Sequence, residues 1–488
     1  MGKKLHGGIL RLPRACRSQT KSPFGIDSNS RSGLSEHLHF NLWRRCRLGA
    51  GIVAEQGAQA MDCSDNSQKR IVVTGVGVIC SAGLTADRFW HSLNKRPNPK
   101  ANDGSPSQTA NVFTGSIDDF GELPKDKRKA IRKALKLMNR ETQMGVAAGQ
   151  QALSDSDVLG CYAPERFGVC FGADNVSIMP EDFVHGIQAC STPEGVFEAE
   201  RWGTDGISGI APLWLLKCLP NMPTCYLAIL NDLQGPSNTI TQRDVSANMS
   251  IAEACRGIRA GSTDAALVGA TGTTLATFNL MHAQIEDEFS NADDVCRPFD
   301  KNRTGSTPGE GAGALVLEEM NAALQRGAHI YGEVLGTGSA SAVGHGAVAG
   351  CRKALTRAMR QALSQARQSP HSVGHIHAHG LGTRDSDIAE SQAIRDVFGE
   401  AASEIPVVAA KSHFSNAAAG AGALELIASL LALQHGHLFP IRHFSEADPE
   451  CPVRPVTRED ESAGKSFLNL NMFGRGLASC VAIGDVGA

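Results

Sequence analysis

From residue 70 onward, short apolar runs alternate with longer stretches rich in glycine and alanine. RIVVTGVGV at residues 70–78 is the first such run, and DAALVGA at residues 264–270 is another. Residues 235–247 read as strand, sharp turn and helix start, and the helix continues through residues 251–261. Its small residues suit a helix packed closely against its neighbours. The same order recurs at residues 405–433, where PVVAA at 406–410 feeds a Gly/Ala-rich helix beginning near Asn416. Strands alternating with helices argue for the α/β class. Identity between the two stretches is too low to establish a duplication.

One segment has a different pattern. Residues 125–140 hold eight bases and one acid, with Ile131, Leu135 and Met138 at helical spacing. This predicts an amphipathic helix whose bases cover most of its outer face. It is either an ordinary solvated face or a surface for an acidic partner. The whole chain carries a net charge of only −3 and is 42% hydrophobic, which excludes bulk nucleic-acid binding and general disorder. No membrane-spanning apolar run is expected. The fourteen cysteines form no CxxC pairs, which points to a reduced, cytoplasmic setting rather than a disulfide framework. The first sixty residues hold ten Lys/Arg against three Asp/Glu. They read either as a targeting presequence or as a mis-assigned start, with Met61 the true one. The expected organisation is a basic extension over residues 1–68 and two halves, 69–320 and 321–488.

Asp244 occupies the turn ahead of the helix that runs through residues 251–261. A side chain there sits over unpaired N–H groups and the positive end of a helix dipole. It is either a helix N-cap or the occupant of a reactive position. His375, His377 and His379 alternate along one strand and so share a face. No carboxylate or cysteine ligand set accompanies them, so no metal is expected. Gly75-Val-Gly77 is not a dinucleotide loop, because Cys80 stands where a third glycine is needed.

Several ordered motifs together resemble the β-ketoacyl-acyl-carrier-protein synthases, of thiolase fold. The opening strand at 70–78 is one. RPFDKNR at 297–303, followed by GEGAGALVLE at 309–318, is a second. HAHGLGT at 377–383 with Asp387 and Glu390 resembles the first histidine motif, and KSHFSN at 411–416 the lysine and second-histidine motif. NMFGRG at 471–476 resembles the glycine-rich loop near the C-terminus. The resemblance implies two similar βαβαβαββ halves packed in α-β-α-β-α layers, with Asp244 and Asn416 facing one site from equivalent turns.

The family has cysteine at the position of Asp244. Condensation needs a thiolate that accepts the acyl chain, and aspartate is a poor substitute because its attack gives a hydrolysable anhydride. Cys255 lies eleven residues further, ~16 Å along a helix, and does not replace it. The resemblance assigns His379 and Asn416 as an enolate-stabilising pair, and Lys411 with Glu390 as an ion pair behind them. Phe473 and Arg475 form the candidate gate, with Leu477 where a glycine is usual. Lys129, Arg132, Lys133 and Lys136 are the candidate contact for an acidic acyl carrier protein. No cofactor is implied. The expected function is a non-condensing, chain-length-factor-like partner of an active ketosynthase in fatty-acid or polyketide synthesis. The alternative is a malonyl-thioester decarboxylase or acyltransferase using His379 and Asn416. A homodimer or heterodimer is expected through the strand at 237–241.

Overall fold

In this computed structural model, residues 69–95, 113–174, 182–275, 295–474 and 476–486 are described. The basic extension and Arg475 lie outside them. Eleven strands are present among the described residues: β1 (Ile71–Cys80), β2 (Phe167–Gly172), β3 (Ser237–Ile240), β4 (Ala265–Thr273), β5 (Glu310–Glu319), β6 (Gly332–Ser341), β7 (His375–His377), β8 (Pro406–Val408), β9 (Arg454–Pro455), β10 (Ser466–Phe473) and β11 (Leu477–Gly484). Their order is β3-β2-β4-β5-β1-β6-β11-β10-β7-β8-β9. This is one pattern used twice. In each half the first strand pairs antiparallel with the last, the last antiparallel with the one before it, and that one parallel with the second, which pairs parallel with the third; the second half adds β9, parallel to β8. The two half-sheets are joined by strand pairing where Val72 and Val73 of β1 meet Glu333 and Gly332 of β6.

The helices that organise the site are α1 (Lys125–Ala134), α2 (Arg140–Ser156), α3 (Ser246–Arg259), α4 (Ala347–Ala366), α5 (Arg384–Phe398) and α6 (Ala421–His435). Helix α2 covers β1, β4 and β5, while α4 covers β6, β10 and β11. Between the two half-sheets lie α3 and α6, each touching strands of both halves. This is the expected five-layered thiolase-like arrangement. Residues 418–435, including α6, are long and apolar enough to cross a membrane, contrary to expectation, but 83% of that stretch is buried in the core. A helix packed on both sides by sheets must be apolar all round.

The repeat extends to side chains. On β1, the N–H groups of Val76 and Val78 donate to Asp155 (2.9 Å) and Gln151 (3.1 Å) of α2. On β6, those of Thr337 and Ser339 donate to Gln365 (2.6 Å) and Gln361 (3.1 Å) of α4. The half-sheets part here, so these donors lack a neighbouring strand, and helix side chains four residues apart replace it. The helices can approach only because glycine faces them. A Cβ on Gly77 would lie 2.0 Å from the Ala148 carbonyl oxygen, and one on Gly338 2.1 Å from that of Ala358. The Gly-x-Gly at 75–77 therefore serves helix–strand contact, and Gly336-Thr-Gly338 is its counterpart.

The mid-chain signature is structural. Asp300 accepts from Ser445 and Glu446, and Arg303 lies buried between Asp387 and Asp448.

Candidate active site

Asp244 lies in a single 3-10 turn, Arg243–Val245, that runs into α3. Arg243 is left-handed, with φ +47°. The second half has the same device: Ala418 at φ +45° begins the 3-10 turn Ala418–Gly420, which runs into α6. The two turns touch, and Ala247 packs against Ala423 where the helices meet. Ala419 is therefore the counterpart of Asp244, and Asn416 lies three residues earlier, which corrects the expected equivalence. Nor is Asp244 an N-cap: no side-chain cap bond forms at either helical start, and its Oδ1 has no hydrogen-bond partner among the described residues although the residue is 4% exposed.

His379 follows β7 on a loop held by Glu390 of α5. The Glu390 carboxylate accepts the N–H of His379 (2.7 Å) and of Gly380 (2.9 Å). It is thus committed to the backbone and is not the partner of Lys411. That partner is Glu425 of α6, and neither side chain of the pair is exposed. Glu425 also accepts from Asn471 Nδ2 (2.6 Å). Lys411 Nζ donates further to the His379 carbonyl (2.8 Å) and to His379 Nδ1 (3.1 Å). Burial, reinforced by the Lys411 charge, holds the imidazole pKa well below its usual value, so the ring is neutral. With Nδ1 accepting from an ammonium, the ring proton sits on Nε2. Nε2 is then a donor with no partner among the described residues.

Asn416 is 1% exposed, and its Oδ1 accepts the Ala418 N–H (2.9 Å), bracing the turn ahead of α6. Its NH2 makes no hydrogen bond among the described residues. His379 and Asn416 therefore each offer an N–H. His375 and His377 do not join them: both bond the hydroxyl of Ser429, at 2.9 and 2.8 Å, inside the core.

Sequence reasoning missed Glu425, Asp174, Glu141 and Arg243. Glu425 was detectable as a lone acid in a run of apolar residues. The others gave no local signal, since distant segments bring them together. Asp174 accepts from the N–H groups of Ala419 and Thr273, both at 3.2 Å, and its own N–H donates to Glu141 (3.0 Å). Burial pushes the Asp174 carboxyl up to about 7, with the Asp244 charge adding to this and Arg243 opposing it. The Glu425 carboxyl is raised by burial and, less strongly, by Asp244, against the pull of Lys411. Asp244 thus stands within electrostatic reach of two other buried carboxylates. Arg243 lies with its guanidinium carbon 5.0 Å from the centre of the Phe473 ring, so this half of the candidate gate covers a cation. Leu477 pairs with Phe473 at the mouth of the β10–β11 hairpin. Cys255 is buried in α3 with its thiol pushed up to about 12.

Of the eight bases at 125–140, three are engaged. Lys127 donates to Asn231, Arg128 pairs with Asp118, and Arg140 with Glu310 (2.6 Å). The helix stops at Ala134, and a 3-10 turn, Leu135–Leu137, follows. Lys129, Arg132, Lys133 and Lys136 are exposed, and Lys125 joins them.

Two half-sheets around a pair of central helices, with a lysine bonded to a histidine and an asparagine bracing the turn ahead of α6, fit the ketosynthase class of the thiolase-like fold. The chain belongs to the beta-ketoacyl synthase family: the N-terminal domain model of that family matches residues 68–323 and the C-terminal domain model residues 331–445. It is 28% identical over 426 residues to the 3-oxoacyl-[acyl-carrier-protein] synthase 2 of Staphylococcus aureus strain N315, covering 86% of this chain and 98% of that one. It is 30% identical over 411 residues to the granaticin polyketide putative beta-ketoacyl synthase 1 of Streptomyces violaceoruber, covering 80% and 93%. Among solved structures, the ishigamide ketosynthase/chain length factor superposes with a TM-score of 0.70 at 28% identity, covering 86% of this chain and all of that one.

Proposed function

We propose that this chain is a non-condensing ketosynthase homologue that pairs with a cysteine-bearing ketosynthase and receives acyl carrier protein. The observation that carries the reading is Asp244: a buried carboxylate occupies the turn at which the family's resemblance places the nucleophilic cysteine. Cys255 does not replace it, because it lies inside α3 with its thiol pushed up to about 12 by burial. The likeness to a ketosynthase/chain length factor supports a partner role.

The surface supports pairing. Strand β3 ends the sheet, and Ser237 and Asn238 on it are exposed. An open strand edge requires cover. Among the described residues, many of the exposed large apolar side chains lie between β2 and β3, including Ile187, Val196, Ile207, Leu213, Leu215 and Ile229. Their exposure supports a partner on this segment. The five exposed bases at 125–136 suit an acidic carrier protein, which they would steer toward the subunit.

Malonyl decarboxylation is the second reading, supported by the N–H groups that His379 and Asn416 both offer. The Asp244 carboxylate counts against it, since a carboxylate there would repel a malonyl carboxylate. Co-expression with a cysteine-bearing ketosynthase from the same gene neighbourhood, followed by chromatography with light scattering, tests the proposal. A one-to-one complex is expected. A homodimer that ignores that ketosynthase and releases CO2 from malonyl carrier protein, with loss of the activity in His379→Ala, overturns it.

A further inference from the structure

We infer that Arg243 is an internal latch: its guanidinium, packed on the Phe473 ring, closes the way from the exposed end of the β10–β11 hairpin to the turn that carries Asp244, so that the free chain shuts this site against acyl thioesters. The inference deepens, and rests on, the reading above that acyl carrier protein is received by this subunit. The guanidinium carbon stands 5.0 Å from the centre of the ring, within the range of a cation–π contact. Phe473 is partly exposed, and Gly474 beside it is exposed. Arg243 is 8% exposed and Asp244 4%. The contact therefore lies between solvent and the buried turn.

The repeat within the fold shows that the turn itself does not need this side chain. Ala418, at φ +45°, holds in the second half the place that Arg243 holds at φ +47° in the first. A methyl group suffices there, and a left-handed backbone disfavours a bulky residue. An arginine kept in such a conformation is held by its surroundings. Those surroundings form a rigid frame. Ser479 of β11 donates to the Val245 carbonyl (3.3 Å). Asn248 of α3 donates to the Asn469 carbonyl of β10 (3.1 Å), and Asn469 Nδ2 donates to Asn248 Oδ1 (3.0 Å). At the hairpin end, the Ala342 N–H donates to the Gly476 carbonyl (2.8 Å), and the Cys351 thiol donates to that of Gly474 (3.0 Å). With turn, strands and hairpin end tied together, the Arg243 side chain is the part that can move. Burial raises the Asp174 carboxyl and the Arg243 cation opposes this, so the latch is drawn toward an acid as well as toward the ring.

The test uses the full-length chain with Asp244→Cys, whose introduced thiol reports access to the turn. Iodoacetamide and octanoyl-pantetheine are the probes, and peptide mass spectrometry reads the rate of modification at position 244. Adding Arg243→Ala should raise both rates by about tenfold or more, the scale of one desolvated cation–π contact. Phe473→Leu should do the same, and the two together should add little to either, since they break one contact. The charge effect runs the other way: an arginine beside a thiol favours the reactive thiolate, so its loss alone would slow both reactions. Arg243→Gln serves as the second variant should Arg243→Ala fail to fold. Equal rates with and without Arg243 overturn the proposal. So do gains that multiply in the double variant, and so does a thiol that stays unreactive in every variant, which places the closure elsewhere. Light scattering with the cysteine-bearing ketosynthase on the same samples reads the subunit proposal separately. A one-to-one complex with unaltered labelling rejects only the latch, and faster labelling without a complex supports the latch and rejects only the pairing.

Discussion

Lys411 and Glu425 are both excluded from solvent, and each is the main counter-charge of the other. Removing one partner of a buried pair leaves an uncompensated charge, at a cost of ~3–5 kcal/mol. Lys411→Met should therefore lose about that much in urea unfolding, and Lys411→Met with Glu425→Gln should recover most of it. Equal loss in both would show that the pair is not coupled. Asp174 supplies a pH signature. Its carboxyl is raised from 3.8 to about 7, so the folded chain holds a proton that the unfolded chain releases. Its contribution to stability is greatest below the unfolded value and declines as pH rises toward 7. Urea midpoints between pH 5 and pH 8 should fall less steeply for Asp174→Asn than for the unmodified chain. At this scale the sequence was only partly legible. His379, Lys411 and Asn416 stand in motifs that resemble the family. The ion-pair partner was misread as Glu390, because only the fold reveals that its carboxylate is taken by two backbone N–H groups.

Among the elements, the strand–turn–helix units were the most legible part of the chain, since apolar runs and small-residue helices leave strong local patterns. Strand β1 extends two residues past the residue-78 boundary read from sequence, to Cys80. The helix at 125–140 was read too long. Its bases are continuous, but Met138 is extended and Asn139 caps α2 by accepting the Thr142 N–H (2.8 Å). What patterning could not show is how the halves repeat, because the repeat lies in contacts rather than identities. Gln151 and Asp155 on α2 do for β1 what Gln361 and Gln365 on α4 do for β6. Glycine at 338 is required by that packing. Gly338→Ala should cost ~1–3 kcal/mol by overpacking, read as a lowered Tm. Gly203→Ala, where an added Cβ meets nothing within 4 Å, should stay within about 0.5 kcal/mol. Similar losses in both would remove the close-approach argument.

In the whole molecule, β3 ends the sheet among the described residues, exposed apolar side chains lie in the chain between β2 and β3, and α1 carries a basic face, the surfaces on which the two proposed partners would dock. Replacing Lys129, Arg132, Lys133 and Lys136 with glutamate should slow carrier-protein association by about tenfold or more at low salt, with the difference shrinking as salt rises. Surface plasmon resonance at several salt concentrations checks this. An unchanged rate would assign these bases to ordinary solvation. The central proposal is that the site at the start of α3 forms no stable acyl-enzyme, because a carboxylate stands where condensation needs a thiolate. Intact-mass measurement after incubation with acyl-carrier and acyl-coenzyme thioesters tests it most directly. The account predicts an unchanged mass for the unmodified chain. A stable acyl adduct on any of its cysteines would contradict it.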